Sequence, residues 1–304
     1  MSITITGGIT FTGAGVTLVS VIPDTGNKAI FSYGQSPSFT NLVTNAGVVG
    51  NDVTLVGTAR YYLAGTGYGG DKAIFGYGSV SGPATAVTNL VSNTGVVATD
   101  TAGVGSVRQG LQAAGYGSSG QALFFGGTAG ALVSQISNTG VVANETTVTG
   151  SYCNYGAAAR YGTDKAIVAF GQRDVTYSSG VNLISNTGVV ATNSAGAGTG
   201  RIGLAGAGYG TDKAIFGYGE ATGGTLVSVT NLVSNTGVVA NDTTGVGTNR
   251  SYLAAATYGN DKAIFGFGST YTPIINLVSN TGVVASNTTV TATGRNYLAA
   301  AVYG

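Results

Sequence analysis

Asp174 and Glu220 are the one pair of carboxylates that adjacent variable segments of this chain could bring together. The chemistry open to such a pair is glycoside hydrolysis, one carboxyl acting as acid and the other as nucleophile or base. Little else in the sequence resembles a reaction centre. There is no histidine, which removes Ser-His-Asp and Cys-His catalysis, most zinc sites and any imidazole acid–base step. Cys153 is the single cysteine; with no histidine to activate it, it reads as a small buried residue, and it excludes an intrachain disulfide. Gly-Tyr-Gly-x-Gly stretches look like phosphate loops but lead into strands, not helices, so they carry no such reading. Asp52, Asp100, Glu145 and Asp242 recur just after a Val-Val pair, which marks them as features of a repeat. No catalytic, metal or cofactor residue is therefore assigned beyond that remote carboxylate pair.

The repeat is the dominant signal. An element of the form Lys-Ala-Ile-Phe-Gly-Tyr-Gly begins at Lys28, Lys72, Gln121, Lys165, Lys213 and Lys262. Each copy leads to a phrase close to Asn-Leu-Val-Ser-Asn-Thr-Gly-Val-Val-Ala. Intervals of about 44–49 residues belong to propellers and solenoids. Each repeat divides into segments with strand character. An Ala/Gly-rich stretch such as 252–259 comes first, suited to places where strands crowd. Lys213 to Gly219 is bulky and apolar, Thr230 to Ser234 ends in the turn Asn235-Thr236-Gly237, and Val238-Val239-Ala240 reads as a fourth strand. Six copies of the second strand begin at Lys28, and the sixth copy of the first strand is the stretch 297–304. The C-terminal strand then completes the N-terminal repeat, removing two free edges. The expectation is an all-β, six-bladed β-propeller of four-stranded antiparallel blades over residues 26–304, closed by the C-terminal strand.

An Arg heading an Ala/Gly-rich strand, then a hydrophobic run closing on Gly-x-Gly, then a polar-hinged third strand, is similar to the kelch repeat. Kelch second strands end in Gly-Gly, which only Gly126-Gly127 does here, and their fourth-strand Trp is absent, since the chain has no Trp. The copper oxidases sharing that fold need histidine ligands, so their activity does not carry over. The phrases Asp-Lys-Ala-Ile-Phe-Gly-Tyr-Gly and Asn-Leu-Val-Ser-Asn-Thr-Gly-Val-Val-Ala, with the opening Ile-Thr-Ile-Thr-Gly-Gly-Ile-Thr, also resemble virion appendage and tail-fibre proteins of aquatic tailed bacteriophages. That resemblance implies localisation in a virion, after synthesis in a host cytoplasm.

Ten of the twelve basic residues hold repeat positions: Lys28, Lys72, Lys165, Lys213 and Lys262, with Arg60, Arg108, Arg201, Arg250 and Arg295. A strand of eight residues separates Arg from Lys by roughly 25 Å, which excludes a salt bridge within one repeat. Each Arg is expected to stack on the aromatic end of an adjacent second strand, for example Arg250 over Phe267, in a contact of ~1 kcal/mol. The third repeat replaces Lys with Gln121 and the Arg with Cys153.

Alternating strand direction puts the near-identical turns Tyr-Gly-x-Asp-Lys and Ser-Asn-Thr-Gly on one face. The variable connections, among them 172–180, 220–229 and 269–273, fall on the other. Variable loops on a rigid scaffold are where binding sits, and Arg173, Asp174, Tyr177, Glu220 and Tyr271 are the candidate surface-binding residues. Tyr-rich loops suit sugar stacking. Residues 1–25 alternate Ile and Thr with strand period and match no repeat; they read either as an extra strand on the first blade or as an anchor to another virion subunit.

A net charge of +1 with 8% charged residues gives no footprint for nucleic acid and suits a protein packed into an assembly. No apolar run reaches the ~20 residues of a membrane helix, and the N-terminus lacks the pattern of a secretory signal. The functional expectation is a non-enzymatic, oligomeric virion structural protein: a tail-fibre or appendage module whose loops adhere to host-surface glycan or protein. The alternative is a purely architectural decoration or tail component whose loops contact neighbouring subunits.

Overall fold

The computed structural model describes residues 27–35, 37–148 and 153–304. They form an all-β structure of small antiparallel sheets, with no helix among the described residues and no sheet closing on itself. The expected N-terminal segment 1–25 lies outside the described residues.

Six sheets share one plan. Their second strands are Lys28–Tyr33, Lys72–Gly76, Gln121–Phe125, Lys165–Ala169, Lys213–Gly217 and Lys262–Gly266. Each pairs on one side with an Ala/Gly-rich inner strand: Ala64–Tyr68, Gln112–Tyr116, Ala157–Tyr161, Ala205–Tyr209 and Ala254–Tyr258 for sheets 2 to 6. For sheet 1 the inner strand comes from the far end of the chain, Ala299–Tyr303, with Lys28 opposite Tyr303 and Ser32 opposite Ala299. The third strands, such as Thr230–Val233, pair on the other side. Every inner strand packs against those of the sheets before and after it, and Ala299–Tyr303 touches both Ala64–Tyr68 and Ala254–Tyr258, so the order returns to its start.

The expected fourth strand is largely absent. Val239 makes only an isolated bridge back to Val233, as its counterparts do in the other sheets. Two-residue outer strands occur farther along, at Val53–Thr54, Thr146–Thr147 and Thr288–Thr289, so three sheets are four-stranded and three are three-stranded. The tight Ser-Asn-Thr-Gly turn explains this. Ser234 Oγ accepts from the amides of Thr236 and Val238, and these local bonds hold Val238 in the turn instead of a ladder.

Small side chains in the inner strands are a consequence of crowding. A Cβ at Gly67 would stand 2.7 Å from Val302 Cγ1 on the neighbouring inner strand. The second strands are flanked on both faces and bury Ile30, Phe31, Ile74, Phe75, Ile264 and Phe265 completely. Each such side chain contributes about 1.5–3 kcal/mol. Six apolar clusters fill the six junctions, the last joining Phe267 and Ile264 to Phe31 and Ala300.

Five junctions are pinned by a fully buried Arg. Arg60, Arg108, Arg201, Arg250 and Arg295 stack on Tyr33, Tyr77, Phe170, Tyr218 and Phe267 at 4.2–4.7 Å. The register differs from the expected one. Arg250 lies over Tyr218 of the preceding sheet, and Phe267 receives Arg295, because the connection into each inner strand crosses the end of the sheet it has just left. The same guanidinium reaches forward: Arg250 Nη2 donates to Asn276 Oδ1 at 2.7 Å and Arg60 Nη2 to Asn89 Oδ1 at 2.6 Å. Each Arg therefore clamps two sheets.

The recurrent acids reinforce these clamps from the rim. Asp100 accepts from the Thr58 amide and hydroxyl and from Asn89, with Arg60 at 3.6 Å; Asp242 repeats this with Thr199, Asn231 and Arg201. Burial pushes both carboxyls up, but these hydrogen bonds and the Arg charge outweigh it and hold them below the ordinary Asp value. The repeat lysines serve their own turns, Lys72, Lys213 and Lys262 each bonding the Asp that precedes them at 2.7–3.0 Å.

Candidate binding face

The connections that enter the inner strands meet at the centre of the variable-loop face. There the backbone turns through positive φ at six equivalent positions: Tyr62, Gly110, Tyr155, Gly203, Tyr252 and Tyr297. Their amides and carbonyls form a cycle. Gly110 donates to Tyr62, Tyr155 to Gly110, Gly203 to Tyr155, Tyr252 to Gly203, Tyr297 to Tyr252, and Tyr62 to Tyr297, over 2.5–3.1 Å. Left-handed backbone is costly for a bulky residue, and the closed set of hydrogen bonds over-determines it.

Four tyrosines stand on this ring and pack on one another. Tyr62 and Tyr297 have centroids 4.2 Å apart, Tyr252 and Tyr297 4.5 Å, and Tyr62 and Tyr155 5.2 Å. Tyr61 extends the cluster from one side. The two remaining positions must be glycine: a Cβ at Gly110 would meet the Tyr155 ring at 2.7 Å, and one at Gly203 the Tyr252 ring at 3.0 Å. All four tyrosines are half-buried, so the cluster offers an aromatic surface to solvent. Burial raises the Tyr155, Tyr252 and Tyr62 phenols, reinforced at Tyr252 by the Glu220 charge. These phenols are neutral at physiological pH.

The candidate loop residues divide around this centre. Tyr177 Oη donates to Glu220 Oε1 at 3.2 Å, joining the loops of sheets 4 and 5 next to Tyr252. Tyr271, half exposed, donates to Gln35 Oε1 at 3.0 Å and so links sheets 6 and 1. Asp174 and Val175 form the exposed tip of a hairpin, both at positive φ. Arg173 departs from the surface role expected of it. It is only 3% exposed, with Nη1 on Asn182 Oδ1 at 2.9 Å and Nη2 on the Gly180 carbonyl. This is the junction where Cys153 replaces the repeat Arg and Gly126 the ring beneath it, so a guanidinium from the 172–180 loop takes over the bond to the third-strand Asn. Cys153 is fully buried, its thiol donating to the Phe170 carbonyl and pushed up to about 11 by desolvation.

The opposite face carries the Asp-Lys turns and the mouth of an axial cavity of about 300 Å³. Small residues such as Gly65, Ala113 and Gly206 line it, with Arg160, Lys72 and Lys213 as its cations. Arg160 is held by the Thr163 and Gly117 carbonyls. Asn27, where the described chain begins, also lies at this mouth.

The variable loops and the tyrosine ring share one face, and the ring itself is no part of the sequence reading. Its trace in the sequence is the residue two places after each repeat Arg or its substitute: in order Tyr62, Gly110, Tyr155, Gly203, Tyr252 and Tyr297. It had been absorbed into the first strand, which in fact begins two residues later, at Ala64 or Ala254. The chain matches no protein-family model and no curated protein.

Proposed function

We propose that this chain is a six-bladed propeller acting as a non-enzymatic display module of a virion appendage, with adhesion to a host surface on its variable-loop face. One observation carries the reading: the two faces are unlike. The near-uniform turns and Asn27, which precedes the first strand, share one face, while the variable loops and a half-exposed aromatic surface share the other. A module tethered through residues 1–25 presents the tyrosine face outward. The cyclic packing of six sheets, the C-terminal strand in sheet 1 and the closed ring of backbone hydrogen bonds support the propeller architecture. The virion context rests on the repeat phrases and stands as part of the proposal.

The test is adsorption of the full labelled chain to a panel of intact bacteria. Tyr252→Asn with Tyr297→Asn alters the tyrosine face, and Val238→Lys alters the opposite face as control. Adhesion requires loss with the first variant and retention with the second. A folded chain that adsorbs to no cell, or loses adsorption only with Val238→Lys, overturns the reading in favour of an architectural role.

A further inference from the structure

We infer that the tyrosine ring, with Glu220 and Tyr177 at its margin, is a binding site for a neutral saccharide. This rests on the adhesion reading for its biological setting but on the site's own chemistry for its ligand. Three features select the ligand class. The first is shape: the rings of Tyr62, Tyr155, Tyr252 and Tyr297 lie against one another at 4.2–6.2 Å. They leave no cage that could surround a quaternary ammonium and present a continuous amphipathic surface. The apolar C–H face of a pyranose ring complements such a surface, and phenol hydroxyls at its edge can exchange hydrogen bonds with those of the sugar.

The second feature is charge. The repeat arginines at this face are fully buried, and Arg173 is 3% exposed. The solvent-accessible cations Lys28, Lys72, Lys165, Lys213, Lys262 and Arg160 lie at the starts of the second strands and in the Asp-Lys turns on the opposite face. What the tyrosine face does expose is acidic, Asp174 and Glu220. An anionic glycan would meet these carboxylates and, among the described residues, no exposed cation on this face. The third feature is hydrogen-bonding sense. At the margin of the ring the Glu220 carboxylate, which accepts from Tyr177 Oη, offers acceptor oxygens and no donor. A polyol supplies many donors and no charge, which satisfies all three features.

The experiment is affinity electrophoresis of the full chain through gels containing an α-glucan, a β-glucan, a galactan or a mannan, with polygalacturonate as the anionic comparison. Retardation by at least one neutral polymer and none by polygalacturonate is expected. Tyr62→Asn and Tyr252→Asn, whose new side chain tolerates positive φ, should weaken retardation about tenfold, in line with an aromatic contact. Glu220→Gln, which keeps an acceptor oxygen, should weaken it about threefold. An unchanged unfolding midpoint confirms that each variant is folded. Failure of all four neutral polymers, binding to polygalacturonate as strong as to any of them, or full binding by the Tyr variants overturns the inference. Saccharide binding without cell adsorption retains this inference and removes the adhesion reading. Cell adsorption that no neutral saccharide competes removes this inference alone.

Discussion

Replacing Arg250 by Cys, the residue that Cys153 already provides at one junction, tests whether the buried arginines clamp adjacent sheets. Arg250 is fully buried, stacks on Tyr218 at 4.2 Å and donates to Asn276 Oδ1 at 2.7 Å. Its removal deletes a charge-assisted hydrogen bond of about 1.5–3 kcal/mol, deletes a desolvated cation–π contact of about 2 kcal/mol, and leaves a cavity. Set against these losses is relief of the desolvation that lowers the Arg250 pKa. A net cost of about 3 kcal/mol follows, or a fall in Tm of roughly 6–12 °C by the scaling for large domains. The assay is chemical denaturation of a four-member cycle: wild type, Arg250→Cys, Tyr218→Gly and the double variant. Tyr218 already has positive φ, so glycine fits its backbone. The coupling between the two changes should be about 1–2 kcal/mol. A cost below about 1 kcal/mol for Arg250→Cys, or a coupling near zero, refutes the clamp.

Arg173→Ala is expected to cost about as much stability as Arg250→Cys, roughly 3 kcal/mol, since its guanidinium occupies the same structural role; a surface ligand contact would leave the midpoint unmoved. Acid should weaken the fold through Asp100 and Asp242. Their folded pKa values lie below the unfolded ones, so the native state binds fewer protons between the two; their stabilisation is present above the ordinary Asp range and lost as pH falls through the folded values. Denaturation midpoints measured from pH 7 to pH 2 should fall less steeply in Asp100→Asn with Asp242→Asn. Deleting residues 299–304 removes the inner strand of sheet 1 and should abolish cooperative unfolding, read by hydrogen exchange across Lys28–Tyr33. The Cys153 thiol should react with a disulfide reagent only at the rate of global unfolding, because burial raises its pKa to about 11.

The start of every second strand was legible in the sequence because Lys-Ala-Ile-Phe, with the variants Gln121-Ala-Leu-Phe and Lys165-Ala-Ile-Val, recurs and its apolar residues are buried on both faces. The partnership of Lys28–Tyr33 with Ala299–Tyr303 was legible from counting repeats. The outer strand was misread because Val-Val-Ala has strand composition while the preceding Ser234 hydroxyl captures the amides that a ladder would use. The Arg register was off by one sheet, since sequence order alone does not say which sheet end a connection crosses. Arg173 was the least legible residue. A polar loop rich in Arg, Asp and Tyr looks like a binding loop, and only the joint loss of Arg at Cys153 and of an aromatic at Gly126 signals that a buried cation had to come from elsewhere. Tyr62 and its counterparts were hidden for a different reason: bulky residues at positive φ run against local propensity, and the hydrogen bonds that hold them there join residues far apart in sequence.

That last point bears on how the proposed face would work. A tyrosine on a free loop loses backbone and side-chain freedom when it stacks on a ligand, and that loss reduces affinity. Here the backbone beneath all four rings is fixed by a closed set of six hydrogen bonds, and the rings support one another before any ligand arrives. Binding then costs little ordering, but the surface is open rather than a deep cleft and buries modest area per contact. Weak single-site affinity with fast exchange is the expected result, so firm attachment depends on several copies held at fixed spacing. Monomeric chain should show saccharide affinity in the millimolar range, and artificial multimerisation through the Asp-Lys face should raise apparent affinity by about two orders of magnitude or more. Multimerisation through the tyrosine face should abolish binding. Equal avidity from both orientations would contradict the assignment of the binding surface and, with it, the outward orientation inferred from the position of Asn27.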